Sequence, residues 1–148
     1  MKHQSFVVVR FKDRVLIPTQ SKMEGGAYLE TDPVAVYEIS DEQGIVRSIV
    51  QAIVMGNPSV PHPSRDAWPK SVLLKPAGVK SQVALERSSA TWAAGCDGKL
   101  WRIYPSKRNA KGRWEADMTK VETHPADIPR AQLAQRMVEL VKNANVHE

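Results

Sequence analysis

An α+β fold with a mainly antiparallel sheet is what this sequence predicts, and three observations predict it. Strand-forming runs follow one another along the chain with short turns between them. Two stretches carry the apolar spacing of a long helix. An Asp-Gly pair sits between two segments of strand composition. The 148 residues, 42% hydrophobic and 25% charged, suit one globular domain over 1–148, with main helices at about 40–55 and 127–144 packed on the sheet.

Ser5 to Phe11 (SFVVVRF) is β-branched and aromatic and reads as the first strand. Lys12-Asp13 makes the turn into a second, Arg14 to Pro18, which ends at its proline; Thr19 to Gly26 follows as a loop. Asp32-Pro33 marks the start of a third strand, Val34 to Ile39. A helix follows, with Ser40 as N-cap and Gln43 completing a capping box. Ile45, Val46, Ile49, Val50, Ile53 and Val54 give it one apolar face, and Gly56-Asn57-Pro58 stops it. These β-branched residues are weak helix formers, so packing on a sheet must hold it.

Pro58, Pro61, Pro63 and Pro69 then punctuate a stretch that is either an ordered crossing or a flexible linker, with Trp68 favouring order as a packed anchor. Val72-Leu73-Leu74 reads as a short buried strand, and Gln82 to Arg87 as either helix or strand. Thr91 to Gly95 and Lys99 to Tyr104 flank Cys96-Asp97-Gly98 as a hairpin. Its return strand turns Leu100, Arg102 and Tyr104 to one face and Trp101 and Ile103 to the other. Residues 106–112 form a polar loop and Arg113 to Val121 a further strand. Asp127 caps the last helix, whose stripe is Ala131, Ala134, Met137, Val138 and Val141, joined by Leu133 and Leu140.

The segment MKHQSFVVVRFKDR has too short an apolar core for a signal peptide, and no run approaches the ~20 apolar residues that span a bilayer. Cys96 alone allows no internal disulfide. The expectation is a cytoplasmic protein without a membrane partner. Charge is uneven: residues 1–56 carry six Lys and Arg against seven Asp and Glu, and residues 57–148 carry fifteen against nine. Such asymmetry fits an acidic partner or simply a solvated basic surface.

No catalytic or metal-binding pattern stands out. His3, His62, His124 and His147 are scattered, Cys96 has no second ligand nearby, and no phosphate-cradling glycine loop is present. No cofactor and no enzymatic activity are expected. The one distinctive constellation is Lys99 to Trp114, where six cations (Lys99, Arg102, Lys107, Arg108, Lys111 and Arg113) and the rings of Trp101, Tyr104 and Trp114 occur without an acid. Basic groups neutralise phosphates and exposed rings stack on bases, so nucleic-acid binding through hairpin 99–114 is one expectation. Core packing of the rings and a solvated loop is the other.

The runs SVLLKPAGVKS (71–81), ALERSSATW (84–92) and DGKLWRIYP (97–105) resemble immunity proteins of bacterial contact-dependent growth inhibition systems. The resemblance implies a cytoplasmic, non-enzymatic protein that binds the cognate toxin's C-terminal domain, often a nuclease, and occludes its active site. Nuclease inhibitors are often acidic; a basic chain would engage an acidic toxin surface, or use its locally acidic N-terminal part. The partner-binding candidates are Arg102, Tyr104, Lys107, Arg108 and Trp114, the aromatic and arginine types that anchor interfaces.

Overall fold

The computed structural model describes residues 3–144. Strands β1 (Gln4–Phe11) and β2 (Arg14–Met23) form the expected hairpin, with Lys12 at φ 56° making the turn. β2 does not end at Pro18. It runs on to Met23, and its register against β3 (Tyr28–Glu38) shifts between Pro18 and Thr19. A residue without an N–H is tolerated there because the β1–β2 ladder has already stopped at Val9↔Leu16. The expected loop therefore shrinks to residues 24–27, and β3 starts before Asp32-Pro33 instead of after it.

The cap of helix α1 (Glu42–Met55) falls one residue later than expected. Asp41, not Ser40, accepts the Gly44 N–H at 3.0 Å, and no Ser40–Gln43 box forms. Ile45, Ile49 and Ile53 are buried, while Val54 at the C-terminal end is exposed. The proline-rich stretch is ordered in part. Ser59–Val60 (β4) pairs in parallel with Lys22 and Met23, and Arg65–Ala67 makes a single 3₁₀ turn.

Where a buried strand at 72–74 was expected, a short helix α2 (Leu74–Ala77) forms, with Leu73 fully buried at its start and Gly78 left-handed at its end. A three-residue apolar run cannot by itself distinguish strand from helix. The ambiguity at Gln82–Arg87 resolves as helix α3, capped by Ser81.

β5 (Ser89–Cys96) and β6 (Leu100–Arg108) make the hairpin around Asp97-Gly98. β6 extends through residues expected to be loop. Arg113 to Val121 yields only the short β7 (Trp114–Ala116), and an unanticipated β8 (Glu122–Pro125) follows. Both lie on the same side of β6, β8 along Leu100–Ile103 and β7 along Ser106–Arg108. Helix α4 (Arg130–Lys142) begins after Pro129, so Asp127 is not its cap, and Ala131 is exposed instead of belonging to the stripe.

The strand order is β3-β2-β1-β5-β6-β7, with β4 and β8 beside β2 and β6. Every pairing is antiparallel except β2–β4. Alternation gives the sheet two faces. Phe6, Val8, Val15, Ile17, Trp92, Ala94, Trp101 and Ile103 meet α1 and α4 in the main core. Val7, Val9, Phe11 and Leu16 face the other way, under Leu73, Ala77 and Leu85 of the α2–α3 segment. Arg10 joins the first strand to the last helix: its guanidinium donates to the carbonyls of Val141 (2.9 Å), Lys142 (2.9 Å) and Ala144 (3.1 Å). The Val141 carbonyl also accepts from the Ala144 N–H at 3.4 Å, and a cation suits the negative end of the helix dipole.

Candidate partner-binding surface

The Asp97-Gly98 turn is built by its own side chain. Asp97 Oδ1 accepts the backbone N–H groups of Lys99 and Leu100, both at 2.9 Å, and Oδ2 accepts from Arg102 at 2.6 Å. The Arg102 hydrogen bond, then the two backbone N–H groups, hold this exposed carboxyl far below the usual carboxylate range. Arg102 is thus folded back onto the turn. Tyr104, two residues along the same face, is half-buried and lies across from Ala93 of β5.

Further along β6, Lys107 is exposed and pairs across the ladder with Glu115 at 3.6 Å. Arg108 is exposed, sits opposite Trp114 and forms no ion pair among the described residues. Trp114 itself is anchored. Its indole N–H donates to the Ser89 carbonyl at 3.3 Å, and the ring packs on the second-face cluster.

The group that organises this end is one the sequence did not announce. Glu86 of α3 is buried and receives two hydrogen bonds from Arg113, Nε at 3.1 Å and Nη2 at 3.0 Å, and one from the Trp114 backbone N–H at 2.7 Å. Burial pushes the Glu86 carboxyl up, but Arg113, the Trp114 N–H and the Gln82 amide together outweigh it, and the group ends below its ordinary value. Glu86 ties α3 to β7 and fixes where Trp114 lies.

The five candidates therefore divide. Arg102 and Lys107 are partly neutralised, Trp114 is pinned, and Tyr104 and Arg108 are the most available. Segment 99–114 contains no acid, but acids just outside it or on α3 reach in: Asp97, Glu115 and Glu86 each engage one of its cations. Asp97 and Glu115 flank the segment in sequence and could have been suspected; Glu86 could not. Trp101 is 2% exposed and belongs to the main core.

A second charged cluster ties β8 to α4. Arg136 donates to both oxygens of Glu122 (Nε–Oε1 2.6 Å, Nη2–Oε2 2.9 Å), and His124 Nε2 lies 2.8 Å from Oε1. The described residues contain no group of three His, Cys, Asp or Glu able to hold a metal, and His147 lies outside them. Cys96 is buried, and no described helix is long and apolar enough to cross a membrane.

These features define an α+β protein whose β6–β7 end carries a run of cations, three of them paired with Asp97, Glu115 and Glu86. Two solved structures share the fold over nearly the whole chain. A protein of unknown function from Neisseria meningitidis superposes with a TM-score of 0.67 at 13% identity, covering 95% of this chain and 93% of that one. A chain of the CdiA-CT/CdiI toxin and immunity complex from Yersinia pseudotuberculosis superposes with a TM-score of 0.59 at 14% identity, covering 96% and 98%. At these identities the likeness is one of fold. No protein-family model matches the sequence, and no curated protein matches it.

Proposed function

We propose that this chain is a non-enzymatic immunity protein that binds a cognate toxin domain and blocks its active site by occlusion. The observation that carries the proposal is the fold shared with a chain of a toxin and immunity complex over almost the full length of both. The runs at 71–81, 84–92 and 97–105, which resemble contact-dependent growth inhibition immunity proteins, lie on α2, α3 and the β5–β6 hairpin. The partner is the toxin's C-terminal domain, with a nuclease as the leading class, and neutralisation takes place in the cytoplasm.

Occlusion needs a standard interface of roughly 800 Å² per partner, with a few aromatic and arginine anchors. Tyr104 and Arg108 suit this role best, with Arg102, Lys107 and Trp114 at their flanks. Nucleic-acid binding through the same hairpin is the weaker proposal: three of its six cations are ion-paired, and of its rings Trp101 is buried and Trp114 pinned.

The test is co-expression of this chain with the toxin domain encoded beside it. Cells survive with the chain and arrest without it, and Tyr104→Ala combined with Arg108→Glu loses protection while the protein stays folded. Equal growth arrest with and without the chain would sink the proposal.

A further inference from the structure

A cleft of about 450 Å³ lies between the start of β3 and the Trp68–Gln82 segment, and none of its lining residues belongs to the β5–β6 hairpin or to β7. It holds what the 99–114 hairpin lacks, an available ring beside unpaired cations. The Trp68 ring is 51% exposed, although a packed anchor was expected there, and His62 meets it T-shaped at 5.6 Å between centroids instead of stacking on it. Lys70 and Lys80 line the same cleft, are exposed, and enter no ion pair among the described residues.

The charge continues past the cleft. Lys75 of α2 and Arg87 of α3 are exposed and likewise enter no described ion pair. From Lys70 to Arg87 the one acid is Glu86, which is buried and held by Arg113. The layer therefore shows solvent four positive charges without a compensating acid of its own. The acid of the cleft is Glu30 on the β3 side. Burial pushes that carboxyl above its ordinary value, so it takes up a proton more readily and opposes an anion less.

An acidic protein surface would use the cations but has no need of an exposed indole. A duplex would use the cations but keeps its bases stacked on each other. A single strand uses both, with phosphates on the ammonium groups and an unpaired base on the ring. We infer that the Trp68–Arg87 layer binds single-stranded nucleic acid, with a base stacked on Trp68, flanking phosphates on Lys70 and Lys80, and Lys75 and Arg87 adding to the attraction for the backbone. The inference does not rest on the immunity function and stands or falls separately from it.

The experiment is a titration of the chain into fluorescein-labelled oligo(U) of about ten nucleotides, reading anisotropy and indole emission together. Binding quenches the indole emission, and affinity falls about fifty-fold between ~50 and ~200 mM salt, the slope of about −3 that four phosphate contacts give on a single strand. Trp68→Leu removes the quenching and weakens binding about ten-fold. Lys70→Ser combined with Lys80→Ser halves the salt slope, and Glu30→Gln tightens binding. Circular dichroism of each variant reports that the fold is kept. No binding at low salt, equal displacement by poly-glutamate, weaker binding in Glu30→Gln, or loss in Lys107→Ala with Arg108→Ala but not in the cleft variants overturns the inference.

Discussion

Gly44 is a position where no side chain fits. A Cβ there would lie 2.4 Å from Asp41 Oδ2 and 2.9 Å from Tyr37 Cδ1, so the capping carboxylate occupies the space a side chain would need. The cap requires both residues, Asp41 to accept and a bare Gly44 N–H to donate. Gly44→Ala raises helix propensity by up to ~1 kcal/mol. Against that stand the displaced cap, worth ~1 kcal/mol, and overpacking of ~1–3 kcal/mol. The net expectation is a loss of about 1–3 kcal/mol, read from the denaturant midpoint at unchanged slope. In sequence, Gly44 looks like an ordinary weak helix residue, and Ser40 offers an equally good cap.

At the scale of elements, two carboxylates fasten peripheral pieces to the sheet: Glu86 joins α3 to β7, and Glu122 joins β8 to α4. Glu122 is lowered chiefly by the Arg136 hydrogen bond, which outweighs burial, with His124 adding to it. Both groups titrate lower in the folded state than the ordinary carboxylate near pH ~4.3. Their stabilisation is therefore present above that pH and is lost as pH falls through the folded-state values. Thermal melts between about pH 6 and 2.5 should show a steep loss of Tm that flattens in Glu86→Gln and Glu122→Gln; the same slope in both variants would contradict this. Neither fastening was legible in the sequence, since the partners lie 27 and 14 residues apart and belong to no periodic pattern. The long helices and the Asp97-Gly98 hairpin were legible because apolar spacing and turn chemistry are local signals. α2 was misread as strand because the short apolar run with Leu73 at its centre fits either element. The candidate surface was legible as a run of cations and rings, but not its neutralisation, because pairing with Asp97, Glu115 and Glu86 is set by the ladder and by α3 docking.

For the whole molecule, the sheet has apolar side chains on both faces, large under α1 and α4 and smaller under α2 and α3. Because β1 and β2 contribute to both, neither cluster can melt while the other stays folded. Ile49→Ala on one side and Leu73→Ala on the other are each expected to cost about 2–5 kcal/mol. Each should shift one shared unfolding transition, and two resolved transitions would refute the coupling. The α+β class and the two long helices on one face were predicted from composition and spacing. The second layer was not, because its helices are too short to carry a period. The strand order also leaves β3 at the end of the sheet, with no strand beyond it among the described residues. An open edge is an invitation to polymerise. Along this one stand Glu30, Asp32 and Glu38, which would confront their own kind in a second copy, and Pro33, which has no N–H to offer an incoming strand. The molecule's open end is blunted against its own copies by sequence alone.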